Sequence, residues 1–353
     1  MTAALTDRPA VGFASRLVEW QVKFGRHDLP WQNTRDPYCV WLSEIMLQQT
    51  QVSTVIDYYG RFLERFPDVQ KLAQASQDEV LGLWSGLGYY SRARNLHRCA
   101  QVVCSDHQGR FPSTALQLKT LPGIGPSTAA AIASLCFDER ATILDGNVKR
   151  VVCRYLGFSR DLSEPANERA LWSLAEGLLP DEHRAADMPV YTQALMDLGA
   201  TVCTRNRPSC EACPFHSDCA GFAGNQTATL PVKTKKLKRS SESHWVLLAR
   251  TAFGEVMLEK RPQTGIWAGL YALPMFDSHD ALVNALPAAH HQRLQALDPF
   301  VHVLTHKDLH LHPIVLQTQS PWAFAESAQW YSADQWIVLG LPTPVRKLLE
   351  SLG

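Results

Sequence analysis

Up to about residue 225 the apolar positions of this 353-residue chain recur at helical spacing. Phe13, Leu17, Trp20 and Phe24 form one such stripe, with Gly25 placed to end the helix. Asp36 is set to cap a second helix whose first position is Pro37 and which runs through Trp41, Ile45 and Leu47. Strand-like alternation is nearly absent from this part. Between Leu230 and Ser243 the chain turns polar, with Lys233, Lys235, Lys236, Lys238 and Arg239 and no acid before Glu242. Such a stretch reads as an interdomain linker or as a merely solvated segment. Beyond it come short β-like runs at 245–249, 255–258 and 311–316, mixed with a helical pattern at 281–286. The pattern predicts a multidomain chain. A disordered N-terminus spans 1–12, an all-α module 13–225, a linker 226–242 and an α+β domain 243–353.

Composition narrows the class rather than the function. At 46% hydrophobic and 19% charged residues there is enough apolar material for real cores, and no apolar run is long enough to span a membrane. The first dozen residues lack the basic-then-apolar pattern of a secretory signal, so a cytoplasmic protein is expected. Lys and Arg number 34, as do Asp and Glu, so a nucleic-acid partner would have to be met by local basic patches.

Cys203, Cys210, Cys213 and Cys219 lie in one short polar stretch with the spacing C-x6-C-x2-C-x5-C. Such a segment builds no hydrophobic core, so another interaction must hold it folded. Four thiolates on one 4Fe-4S cluster would do so, since each iron takes one cysteine. Structural zinc sites favour two tight pairs, and only Cys210 and Cys213 form one here. Disulfides need an oxidising compartment. The spacing therefore favours the cluster over zinc, and zinc over disulfides. The other cysteines stand singly among apolar residues and read as buried thiols.

Residues 121–130, Leu-Pro-Gly-Ile-Gly-Pro-Ser-Thr-Ala-Ala, sit between two helical stretches. Gly123 and Gly125 permit a tight turn, after which a helix starts with free N–H groups, a ready site for a phosphate oxygen. Two glycines alone would suit any helix corner. The full string, with Ser127, matches the helix–hairpin–helix motif expected near 118–135, whose backbone contacts position DNA without reading it. Two carboxylates add chemistry. Glu44 interrupts an apolar helix, with Trp41 and Gln48 on the same face by spacing. Held among apolar groups it would keep its proton near neutrality and serve as a general acid; its commoner role would be a solvated helix face. Gln48 and Gln49 beside it could hydrogen-bond bases. Asp145 reads either as the cap of a helix beginning near Asn147 or as an anion beside a developing sugar cation, and the roles are compatible.

With these motifs together, the chain resembles the adenine DNA glycosylases of the MutY type, within the helix–hairpin–helix glycosylase superfamily. The resemblance runs from Leu29-Pro30-Trp31 to the end and includes residues 86–96, Gly-Leu-Gly-Tyr-Tyr-Ser-Arg-Ala-Arg-Asn-Leu. It implies a monofunctional enzyme of base excision repair that acts as a monomer on double-stranded DNA. It would excise adenine mispaired with 8-oxoguanine or guanine and leave an abasic site. By position, Glu44 matches the acid that protonates the departing base, Asp145 the carboxylate facing the oxocarbenium ion and Asn147 the amide supporting the pair. Gln49 and Tyr89 match residues pressed into the duplex, and Gln193 a position in the adenine pocket. Ser127 stands where the endonuclease III type carries a lysine nucleophile, so no Schiff base is expected.

Residues 260–274 resemble part of a Nudix domain, but no glutamate-dense run follows Met275, so no site for metal-assisted pyrophosphate cleavage is expected. The domain would then recognise the lesion rather than hydrolyse. The family reads 8-oxoguanine with Phe-Ser-His, whose best match here is Leu304-Thr305-His306, with the aromatic ring replaced by Leu304. Two rivals remain in the sequence: an endonuclease III-like glycosylase/lyase, and a non-catalytic iron–sulfur DNA-binding protein.

Overall fold

The computed structural model describes residues 12–235 and 238–351. Residues 1–11 of the expected N-terminal tail, and Lys236 and Leu237 of the expected linker, lie outside the described residues. Two compact units interleave along the sequence: Met1–Val52 with Val102–Lys236, and Ser53–Gln101 with Leu237–Gly353. In chain order the helices are α1 (Phe13–Phe24), α2 (Pro37–Met46), α3 (Val52–Arg65), α4 (Val69–Gln74), α5 (Gln77–Leu83) and α6 (Ser91–Asp106). There follow α7 (Ala115–Leu118), α8 (Pro126–Phe137), α9 (Gly146–Leu156), α10 (Pro165–Glu176), α11 (Met188–Thr201), α12 (Ala220–Ala223), α13 (His279–Asn284), α14 (Ala288–His291), α15 (Ala333–Trp336) and α16 (Thr343–Glu350). Among the described residues no helix is long and apolar enough to cross a membrane.

The first unit is built on α1, α9 and α11. Phe13, Leu17 and Trp20 enter its core with Val148, Val151, Tyr191, Leu195 and Leu198. Phe13 stacks on Phe215, ring centroids 4.3 Å apart, which draws the chain after α11 onto the core. Phe24, counted in the same stripe, stays 72% exposed in the last turn of α1. Gly25 follows that helix in extended backbone. Asp36 caps α2 as its spacing predicts, accepting from the Tyr38 N–H at 2.9 Å. The helix closes at Met46, earlier than its apolar run implies. Gln49 takes a left-handed φ of 57°, so Gln48 lies in the turn that follows rather than on the helix.

The second unit carries a mixed sheet that accounts for the α+β pattern. Its strands are β1 (Ser240–Thr251), β2 (Val256–Lys260), β3 (Tyr271–Ala272), β4 (Met275–Phe276), β5 (Leu294–Ala296), β6 (Phe300–Val303), β7 (Lys307–Thr318) and β8 (Ala328–Tyr331). β1 and β7 run parallel from Ser240↔Lys307 to Thr251↔Thr318, and the other pairings are antiparallel. Both central strands are longer than the apolar runs that announce them, because backbone pairing continues past the buried Leu247, Ala249, Ile314 and Leu316.

Helices of residues 53–101 pack on this sheet domain through polar ties. Asp78 accepts from Lys260 Nζ at 2.6 Å and from the Tyr271 hydroxyl at 2.9 Å. Tyr90 Oη and Ser85 Oγ both donate to the Leu341 carbonyl, at 2.8 and 3.1 Å, and Arg94 donates to the Ala268 carbonyl at 2.8 Å. Gly82 and Gly340 let backbones meet: a Cβ on Gly82 would fall 2.3 Å from the Val338 carbonyl oxygen. A segment that reads as one more piece of the helical module is thus held by the C-terminal domain.

Candidate active site

In the first unit α2, α8, α9 and α11 enclose a cavity of about 480 Å³. Its lining includes Glu44, Gln48, Ser127, Asp145, Asn147 and Gln193, so side chains far apart in sequence converge on one space. Trp41 turns instead into the core, between Tyr38 and Phe111. Glu44 opens onto the cavity but is surrounded by protein on its other sides. That burial pushes its carboxyl up from 4.5 to about 7, and the negative charge of Asp145 adds to the shift. Asp145 is exposed at the N-terminus of α9, where it accepts from the Val148 N–H at 2.7 Å. One carboxyl is therefore desolvated, and the other is hydrogen-bonded and wet. Such a pair can divide into proton donor and fixed anion.

Asn147 Oδ1 accepts from Arg150 Nη2 at 2.9 Å, and the same Nη2 donates to the Gly199 carbonyl at 2.7 Å. Gly199 has no side chain to interfere, since a Cβ there would lie 2.9 Å from that of Asn147. The Ser127 hydroxyl accepts from the Leu144 N–H at 3.0 Å and so braces the residue before Asp145. The turn into α8 is made by Gly123 at φ 76°, with Leu121 and Ile124 buried beneath it. Gly125 caps α8 without a side-chain bond, and no atom lies within 4 Å of where its Cβ would be. The first N–H groups of α8 are thus left open for an oxygen acceptor.

The four cysteines ring a second, small cavity of about 30 Å³, together with Arg154 and Phe222. Burial pushes the thiols of Cys210, Cys213 and Cys219 up, Cys213 to about 12, and the neighbouring cysteines add to it. Three thiols so raised ionise together only around a group that carries positive charge. Among the described residues no three or more His, Cys, Asp or Glu side chains close on a single metal-ion position. The loop is held from α9: Arg154 donates to the carbonyls of Thr204, Arg205 and Leu230, and Arg150 to that of Cys203.

Other residues singled out by sequence lie elsewhere. Gln49 is exposed and does not line the cavity, although Gln48 and Thr50 on either side of it in the chain do. In the second unit Tyr89 stands 44% exposed with φ 49°, and its hydroxyl accepts from Thr305 Oγ1 at 3.2 Å. Thr305 and His306 form the exposed turn between β6 and β7, and the buried Leu309 follows on β7. α13, the helix that follows Met275, has one carboxylate, Asp280.

Sequence reasoning misses Asp197, Arg26 and Gln21. Asp197 is fully buried on α11, paired with Arg26 at 2.5 Å, and it also accepts from Gln21 and Gln193. The available signal was a lone aspartate inside the apolar run Ala194-Leu195-Met196-Asp197-Leu198, which demands a partner somewhere.

Residues 42–176 match the family of HhH-GPD superfamily base excision DNA repair proteins, and residues 244–351 match the NUDIX domain. The chain is 36% identical over 345 residues to the adenine DNA glycosylase of Buchnera aphidicola subsp. Baizongia pistaciae, covering 96% of each. To the adenine DNA glycosylase of Mus musculus it is 35% identical over 405 residues, covering 96% of this chain and 77% of the mouse protein. Among solved structures, a thermostable thymine-DNA glycosylase matches at 29% identity and a TM-score of 0.54, covering 62% of this chain and 98% of that one. A non-covalent endonuclease III–DNA complex, at 19% identity and a TM-score of 0.52, shares the fold of the same part.

The raised Glu44 pKa has a consequence for stability. Below the unfolded value of 4.5 the carboxyl is neutral in both states, and above about 7 the folded protein must hold it ionised in the cavity. Stability is therefore lost as pH rises through that window, by roughly 3 kcal/mol at most. Glu44→Gln should raise the melting temperature at about pH 8.5 and leave it nearly unchanged at about pH 4, below the unfolded value. Equal shifts at both pH values would show that the carboxyl is not held neutral.

Proposed function

We propose, from the premise that the chain belongs to the adenine DNA glycosylase family, that its 480 Å³ cavity receives the adenine and that Glu44 and Asp145 cleave it from the sugar. The chain removes adenine in base excision repair by hydrolysing the N-glycosidic bond. The observation that carries the residue assignment is the Glu44 carboxyl at about 7, in the same cavity as the hydrogen-bonded Asp145. Glu44 gives its proton to a ring nitrogen of adenine, N7 in this reading. The C1′–N9 bond then breaks with its electron pair going to the base, and the Asp145 carboxylate faces the cationic sugar. Water adds to C1′ and loses a proton, leaving an abasic site. Asn147, held by Arg150, keeps the start of α9 in place, and Gln193 contacts the base. Ser127 offers a hydroxyl and no amine, which supports hydrolysis without a Schiff base. Glu44→Gln should keep DNA affinity and lower single-turnover excision by about 10²–10⁴, and the wild-type rate should fall above about pH 7. Near wild-type excision by the variant would remove Glu44 from the role.

Cys203, Cys210, Cys213 and Cys219 would hold one 4Fe-4S cluster, which ties a loop lacking a core of its own. Structural zinc sites favour two tight cysteine pairs, and this loop has one, Cys210 with Cys213. Protein prepared without oxygen should contain about four irons per chain. Stoichiometric zinc with no sulfide would reverse the assignment.

The substrate is read as duplex DNA with adenine opposite 8-oxoguanine or guanine, bound by a monomer. What supports the lesion preference is the turn at Thr305 and His306, set against the Tyr89 hydroxyl in one compact unit. Replacing both Thr305 and His306 by alanine should lower the preference for 8-oxoguanine over guanine by roughly tenfold at fixed salt, the worth of one directional base contact. Equal losses on both mispairs would place lesion reading elsewhere.

A further inference from the structure

Five donors close on the two oxygens of Asp197. Oδ2 accepts from Gln21 Nε2 at 2.9 Å and from the Arg26 backbone N–H at 3.0 Å. Oδ1 accepts from Arg26 Nε at 3.0 Å, Arg26 Nη2 at 2.5 Å and Gln193 Nε2 at 2.9 Å. An ionised carboxylate has about four lone-pair sites and no hydrogen to give, so these donors saturate it. The Gln193 amide can meet it only through the NH2 end. Turned over, Oε1 would face a buried carboxylate oxygen, two acceptors with no proton between them. With one Nε2 hydrogen engaged by Asp197, the acceptor that Gln193 has left for the cavity it lines is Oε1, beside the second N–H of the same amide.

We propose that Asp197 is a specificity-determining positioning residue: by fixing which end of the Gln193 amide faces the cavity, it makes the site select a base that carries an exocyclic amine. The inference rests on the reading that the cavity receives the base. A 6-amino purine offers N–H to Oε1. A 6-keto purine sets oxygen against oxygen, and a purine unsubstituted at that carbon offers nothing. A purely structural role, tying α1 to α11 through Arg26, would affect all three bases alike.

The test is single-turnover excision by the full-length protein from duplexes carrying adenine, hypoxanthine or unsubstituted purine opposite the same base. Intrinsic lability differs among these bases, so the readout is each variant's preference relative to wild type. In Asp197→Asn the introduced amide can donate to Gln193 and let it turn, so the adenine-over-hypoxanthine preference should fall by about tenfold. Gln193→Leu removes the reader, and its adenine-over-purine preference should fall by a similar factor. Adding Asp197→Asn to it should then change the preference no further. The double change Asp197→Asn with Gln193→Glu keeps one buried charge, restores a donor–acceptor pair and leaves an acceptor toward the cavity, so it should recover the preference for adenine. Should Asp197→Asn alone fail to fold, this double variant decides. Preferences that stay at wild-type values in Gln193→Leu, or a double variant without preference, would overturn the inference. A wild type that does not excise adenine would instead overturn the functional reading beneath it.

Discussion

A guanidinium carried into a protein core must find an acceptor for its N–H groups, and α9 brings two such side chains inward. Arg154, 2% exposed, meets the demand with the carbonyls of Thr204, Arg205 and Leu230; Arg150 uses those of Gly199 and Cys203 and the side chain of Asn147. The acceptors are mostly backbone oxygens of a segment with little helix and no strand, which would otherwise lack partners. The same bonds that satisfy the arginines therefore fix the cysteine loop, and they fix the first turn of α9 relative to α11. Asp145 sits one residue before that turn. The anion of the proposed reaction and the cysteine ring are two ends of one helix.

The cavity separates two carboxyls by environment rather than by residue type. Glu44 is enclosed and pushed up to about 7, while Asp145 is exposed and bonded to the Val148 N–H. Capping and chemistry do not compete at Asp145: a carboxylate that accepts one backbone N–H keeps further lone pairs for a cation in front of it. Across the cavity, Asp197 shows the opposite use of an acid. It is fully buried, saturated with donors, and acts on its surroundings only through the groups it orients.

In the second unit the turn carrying Tyr89 is held by chain far beyond it in sequence, through Tyr90 and Ser85 to the Leu341 carbonyl and through Tyr89 to Thr305. A left-handed non-glycine residue costs roughly 1–3 kcal/mol and persists where its surroundings over-determine it. Here they do, which gives the C-terminal domain a share in placing a residue that the linear order assigns to the helical part.

The sequence by itself determined whatever rests on short-range physics. The period of apolar positions located the helices and the change to a sheet, Asp36 and Asp145 declared their caps, and two glycines declared the turn before α8. The cysteine spacing and the lone Glu44 in an apolar run marked the residues on which the proposed chemistry rests. Tertiary structure decided what depends on partners distant in the chain. The run containing Glu44 gave no sign that α2 would stop at Met46, nor that Trp41 would enter the core while Glu44 met the cavity. Ser53–Gln101 reads as helix, yet its membership follows from close backbone approach at Gly82 and Gly340 and from Asp78 meeting Lys260. Asp197 was visible only as an aspartate in want of a partner, because caps and periods act within a turn or two. Which guanidinium and which amide close on a buried carboxylate is settled only when α1 and α11 pack together.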